Sequence, residues 1–273
     1  MPKVGLIMDL RGNAGGRPNY VKLLAESLVA ETVAANPTVL RATDAIAAAL
    51  AALLSEGTED IEELLPFFQY RSAVNTALAI GEPFSGPSAS LYDARFAERF
   101  APRAYFGPVV TLVDGLCYSG GDLFTSLQKD YGFSTVVGVS DNVGAGGAST
   151  VSYSVLSDFF PEFFPPVAAG FTTAFARFYR SGTSAGGIIE NFGVEPDVRY
   201  FSTRNDVLKD DCDLYEFLGE ILTSGDAPGE GPTDNLSESP GPGDGLEPMY
   251  TMEPDGLLGP FVSAEPEEII FAL

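Results

Sequence analysis

Short apolar runs that end at glycine-rich turns alternate with stretches of helical spacing along most of this chain. Val4 to Leu10 reads as a buried strand, and Arg11-Gly-Asn-Ala-Gly-Gly-Arg-Pro follows it at once as a glycine loop. Tyr20 to Ala35 carries leucines and alanines at helical spacing and stops at Asn36-Pro37, a boundary that proline imposes. Thr43-Asp44 can cap a second helix over Ala45 to Leu54, and Asp60 to Ala79 reads as a third, interrupted near Pro66. Three helices before the next strand exceed what one crossover needs. The segment from about 36 to 103 is therefore expected to be an inserted helical cap or interface element.

The pattern then resumes. Val109 to Val113 is a second buried strand, a helix opens at Gly120 or Gly121 and runs to about Tyr131, and Phe133 to Val139 is the next strand. A second glycine loop follows at Val143-Gly-Ala-Gly-Gly-Ala, and Val151 to Leu156 alternates like a half-exposed strand. Aromatic residues crowd Phe159 to Phe164, Phe171, Phe175, Phe178 and Tyr179, predicting either core or the floor of an apolar pocket. Ile188 to Phe192 and Val198 to Phe201 read as short strands. Asp206 to Leu222 closes the pattern as one amphipathic helix.

From Thr223 the character changes. Eleven acidic residues, no basic one and repeated Pro-Gly pairs predict a largely disordered tail over 223–273, because so little apolar area cannot offset chain entropy and self-repulsion. The terminal Glu268-Ile-Ile-Phe-Ala-Leu could dock as a short strand or bind a partner.

Composition narrows the function classes. With 273 residues, 45% of them hydrophobic, the chain can bury a large core. A net charge of -23 leaves no basic footprint for nucleic acid and disfavours anionic membrane surfaces. The two cysteines, Cys117 and Cys212, lack a metal-ligand spacing, and histidine is absent, so neither metal nor cofactor is expected. The opening residues form neither a signal peptide nor a membrane span, since the apolar run ends at Asp9. A chain whose first residues already read as core is expected to have lost what preceded it.

The chemistry-bearing candidate is Ser119, in Asp114-Gly-Leu-Cys-Tyr-Ser-Gly-Gly-Asp-Leu-Phe, where a strand ends and a helix begins. Such a turn exposes a hydroxyl as a nucleophile, and the Gly120 amide faces the same space with no side chain to shield it. The Gly15 or Gly16 amide could supply a second oxyanion donor if the two strands lie side by side and parallel. A structural reading stands beside this one: Ser119 caps a helix and Asp122 favours its first turn. The glycine spacing matches neither the dinucleotide fingerprint nor the alpha/beta-hydrolase nucleophile elbow.

Four segments together carry a resemblance. Leu6-Ile-Met-Asp-Leu-Arg-Gly-Asn-Ala-Gly-Gly, the Ser119 segment, Val137-Gly with Gly144-Ala-Gly-Gly-Ala, and Gly193-Val-Glu-Pro-Asp-Val resemble, in order, the signatures of the tail-specific or C-terminal processing peptidases, peptidase family S41. The match covers about residues 4 to 205. It implies an α/β crotonase-like (ClpP/crotonase) spiral fold as a catalytic domain over 1–222, a serine peptidase acting on a polypeptide substrate through an acyl-enzyme, and a homo-oligomer or an upstream domain of the same gene product as partner.

The resemblance also exposes a departure. Processing peptidases of this family use a lysine in the second glycine loop, where this chain has Ala145. Of its four lysines, Lys129 would sit ten residues along the helix from Ser119, roughly 15 Å away at 1.5 Å per residue and facing solvent, and arginines stay protonated. The chain is nearer the branch resembling the tricorn core protease, whose histidine comes from upstream. That branch suggests Glu190 as the residue orienting the missing base, with Asp141 a weaker candidate; capping or solvent exposure is the alternative for Glu190. The rival reading is a catalytically inactive protein-binding domain. An acyl-CoA enzyme is disfavoured by the lack of a basic pocket for nucleotide phosphates. Asp9 and Arg11 are expected to hold the first loop together, and Asp197 to form a turn.

Overall fold

In the computed structural model, residues 5–56, 61–86, 102–167 and 170–224 are described, all within the compact unit Met1–Asp234; the acidic tail beyond 224 lies outside them. Four strands make one parallel sheet in the order β1-β3-β4-β7: β1 (Leu6–Asp9), β3 (Val109–Val113), β4 (Thr135–Gly138) and β7 (Val198–Arg199). All five residues of β3 are buried, as expected of a central strand in a sheet covered on both faces. Its side chains divide by period two. Val110 and Leu112 pack with Leu214, Phe217, Leu218 and Ile221 of α7 (Cys212–Ser224), whereas Thr111 faces α4 (Gly120–Asp130) through Gln128. On that second face α4 packs on α1 (Pro18–Leu28) around Ala25, Leu123 and Leu127.

A second, antiparallel sheet has the order β2-β6-β5, from β2 (Thr38–Leu40), β5 (Ala148–Ser152) and β6 (Thr172–Phe178). Leu40 and Ala176 of this sheet pack against Leu50 of α2 (Asp44–Glu56) and Tyr70 and Val74 of α3 (Ile61–Ile80). The segment read as a helical insertion thus contributes a strand as well as two helices, and α3 runs through Pro66 without a break. Residues 87–101 lie outside the described part.

This arrangement corrects the crotonase-like spiral fold. The remaining strands do not continue the winding of the parallel sheet; they leave it and pair antiparallel as a sheet of their own. Two further expectations differ in detail. The alternating stretch at 151–156 straddles the end of β5 and the start of α5 (Tyr153–Phe159). The final helix is broken into α6 (Arg204–Leu208) and α7, because Asp210 and Asp211 adopt φ of 51° and 61°. Asp206 stabilises that corner: its carboxylate accepts from Tyr200 Oη at 2.7 Å, Thr203 N at 2.8 Å and Leu214 N at 2.8 Å.

The parallel register fixes what lies at the sheet's C-terminal edge. Asp9 pairs with Leu112, so the loops leaving β1 and β3 emerge next to each other.

Candidate active site

Three hydrogen bonds join the two segments, two of them between the loops and one at the end of β3. Gly12 N donates to Asp114 Oδ1 (3.0 Å), Tyr118 N to Asn13 O (2.8 Å), and Leu10 N to Leu112 O (2.9 Å). Arg11 anchors the first loop from outside, paired with Asp9 at 2.8 Å and Asp211 at 2.8 Å. Ser119 then sits directly against the glycines. A Cβ added at Gly15 would lie 2.5 Å from Ser119 Cβ and 3.0 Å from both Ser119 Oγ and Gly120 N, and one at Gly120 would lie 2.8 Å from Gly16 N. Only glycine permits that approach.

Ser119 itself is bent into the left-handed half of the map, with φ 54° and ψ -115°, and its side chain makes no capping hydrogen bond. An ordinary N-cap is extended and accepts from the helix amides. Ser119 does neither, so its half-buried hydroxyl is not engaged in holding α4. Strain of this kind costs about 1–3 kcal/mol and persists only where surrounding structure enforces it.

The candidate donors separate. Gly15 N–H is committed to Asn13 Oδ1 at 2.8 Å, whereas the Gly16 and Gly120 amides have no hydrogen bond among the described residues. Gly16 with Gly120 is the pair left free to receive an anionic oxygen.

The second glycine loop closes the site from the other side. Gly144 N donates to Cys117 O at 2.8 Å, and a Cβ at Gly144 or Gly146 would strike the Tyr118 ring. Asp122, fully buried, accepts from Ala145 N through Oδ1 and from Gly146 N through Oδ2, both at 3.0 Å. Burial pushes its carboxyl up to about 6, the Gly146, Ala145 and Ser119 amides opposing and the charge of Glu190 adding to the rise. Sequence reasoning treated Asp122 only as a first-turn acid, because its loop partners lie 23 and 24 residues away.

Glu190 belongs to the same neighbourhood. Asn191 N donates to Ala145 O at 2.9 Å, and a Cβ at Gly147 would lie 2.8 Å from Glu190 N. Its Oε2 is buried with no hydrogen-bond partner, and burial raises its pKa against the opposing charge of Arg177. Asp141 is not part of the cluster's interior: its side chain is 96% exposed and pairs with Arg199.

No lysine stands in for the base among the described residues. Lys22 pairs with Glu26 at 2.5 Å, and Lys209 is exposed. Lys129 does not face solvent freely as its position suggested; it is bound to Asp197 at 3.1 Å and Glu195 O at 2.6 Å. Asp197 in turn accepts from Val136 N at 2.8 Å, so it clips β4 to the segment before β7. The aromatic run divides: Phe178 is buried in the core and Phe175 packs beside Leu40 and Tyr70, whereas Phe163 and Phe171 are exposed, with Tyr153 against Phe171 and edge-on to Phe164. Among the described residues there is no cluster of metal-ligating side chains and no helix long and apolar enough to cross a membrane.

A parallel sheet presenting a strained serine and two unengaged amides at its C-terminal edge defines the class: a site arranged like that of a serine acyl-transfer hydrolase. The model of peptidase family S41 matches residues 2–200, and the chain belongs to that family. No curated protein matches the sequence. Among solved structures, mature CPAF is similar with a TM-score of 0.56 at 18% identity, over 83% of this chain and 46% of that one. Mature CPAF complexed with lactacystin gives a TM-score of 0.55 at 20% identity, over 82% and 45%. The fold is that shared with these structures and not the crotonase or ClpP spiral. This chain spans less than half the length of the CPAF structures it matches.

Proposed function

We propose that the chain carries the nucleophile and oxyanion site of a serine endopeptidase whose general base comes from outside these residues. Ser119 Oγ attacks a peptide carbonyl carbon while its proton passes to the base. The Gly16 and Gly120 amides take the developing oxyanion, each donor contributing about 3 kcal/mol to the transition state. Collapse expels the amine, which takes a proton from the base, and water then hydrolyses the acyl-enzyme on Ser119. Glu190 orients the base through its unpartnered oxygen. The observation that carries this reading is the strained, uncapped Ser119 packed against Gly15, with Gly120 beside Gly16.

The base is proposed to be a histidine from another segment of the gene product, as in the branch resembling the tricorn core protease, because the chain has no histidine and Ala145 stands at the family's lysine position. The same two facts support a second reading, an inactive family member that binds peptides in the retained cleft. Incubation with a fluorophosphonate, with and without added imidazole, separates the two. Labelling at Ser119 that imidazole accelerates and Ser119→Ala abolishes supports the peptidase. A folded chain that never labels but binds peptides equally well after Ser119→Ala is the inactive form.

A further inference from the structure

Three non-glycine residues around the site hold positive φ: Ser119 at 54°, Ala145 at 60° and Asn191 at 66°. Each such residue costs of order 1–2 kcal/mol and needs something to enforce it. All three lead to one side chain. Ala145 N donates to Asp122 Oδ1 and Gly146 N to its Oδ2, Asn191 N donates to Ala145 O, and Ser119 stands at the start of the helix that carries Asp122.

We propose that Asp122 is a positioning residue: one buried carboxylate, three residues along the helix from Ser119, gathers the Ala145 and Gly146 amides and so sets where Glu190 stands relative to the Ser119 hydroxyl. The inference rests on the serine reading above for its consequence, but its geometry is independent of it. A plain capping box does not account for the contacts. In such a box the serine side chain caps the helix in return, which Ser119 does not do, and both amides held by Asp122 come from a distant loop.

Energetics point the same way. The folded chain holds the Asp122 proton more tightly than the unfolded chain would, since burial lifts the carboxyl to about 6. The group therefore favours folding most at pH below its ordinary value of 3.8, and that contribution is lost as pH rises through about 6. At neutral pH an ionised Asp122 costs stability. A carboxylate retained at that cost is explained by its acceptor positions: an asparagine would turn an N–H donor toward one of the amides, and an apolar residue would accept none.

The test measures the loop and the serine separately. Hydrogen–deuterium exchange on the chain at pH 7.5 should show the 142–147 segment of Asp122→Asn exchanging at least tenfold faster than in the unaltered protein, with α1 and β3 unchanged. Fluorophosphonate labelling of Ser119 should slow at least tenfold. Because the Gly146 and Ala145 hydrogen bonds lower the Asp122 pKa, a loop opening that breaks them while the carboxyl stays buried raises it, so loop protection in the unaltered chain, corrected for intrinsic exchange, should fall as pH drops below about 6. The titratable groups beside Asp122 are Glu190 and the buried Cys117 thiol, itself pushed up to about 12 by burial and the Asp122 charge. The pH transition should therefore survive Glu190→Gln. Unchanged loop exchange in Asp122→Asn, or pH-independent loop protection, overturns the inference. If Asp122→Asn does not fold, the pH series on the unaltered chain decides alone. If Ser119 never labels, the serine reading fails while exchange still decides the role of Asp122.

Discussion

Replacing Gly15 by alanine asks two things of a backbone that has room for neither. The residue sits at φ +113°, where a side chain costs about 1–3 kcal/mol. The new methyl would also lie 2.5 Å from Ser119 Cβ, whereas unbonded carbons rest about 3.5–4.0 Å apart. Relief requires the serine turn or the first loop to retreat by about 1 Å, and a displacement of that size costs about a hundredfold in a reaction that depends on placement. Fluorophosphonate labelling of Ser119 should therefore slow by about a hundredfold in Gly15→Ala, while urea unfolding loses only about 1–3 kcal/mol. Gly12→Ala is the control. Gly12 also has positive φ, +66°, but an added Cβ meets nothing within 4 Å, so its strain should lower stability by about 1–2 kcal/mol without slowing the label. Equal labelling rates for the two variants would refute the convergence of the loops on Ser119.

Two further outcomes follow from buried charges. Arg180 holds Asp130 bidentately at 2.9 and 2.7 Å, and the Asp130 side chain is 1% exposed; Arg180→Ala should cost about 3–5 kcal/mol by urea midpoint, and a loss below about 1 kcal/mol would mean the carboxylate finds another partner. Burial raises the Asp206 carboxyl, but hydrogen bonds from Thr203, Tyr200 and Leu214 outweigh it and leave the pKa lowered. Its contribution is present above the ordinary value of 3.8 and is lost as pH falls through the folded value, so the stability gap between the unaltered chain and Asp206→Asn should shrink as urea unfolding is taken from pH 7 to pH 3; a constant gap contradicts the assignment.

What could be read from residues alone was whatever is written locally. The apolar runs at Leu6–Asp9 and Val109–Val113, each leading into a glycine-containing turn, appear as strands, and α4 opens at Gly120 where the turn chemistry placed it. The second sheet was not legible in this way. β2 and β6 pair Thr38 with Phe178 across much of the chain, and the aromatic residues of β6 left core and pocket floor both open because nothing nearby announces a partner strand. Lys129 misled for the same reason. Its helical position implied solvent, but Asp197 reaches it from a segment 68 residues later. The spiral fold failed on a related point, since strand content can be read locally while the sheet a strand joins depends on distant pairing.

The same division runs through the site and explains why its least legible member is Asp122. Ser119, Gly15, Gly16 and Gly120 announce themselves because a tight turn demands glycine at fixed offsets from the residue it displays. An acid at the third helical position has an adequate local explanation in the helix dipole, so nothing in its own segment suggests a second task. That task exists only once β3 and β4 are paired and the loop at 144–147 is brought over α4, where its amides need an acceptor away from water. The serine turn is thus encoded within a few residues, whereas its relation to Glu190 is encoded in the fold. A substitution in the first should abolish the chemistry outright, and one in the second should weaken it by loosening a loop, which is the distinction that Ser119→Ala and Asp122→Asn put to measurement.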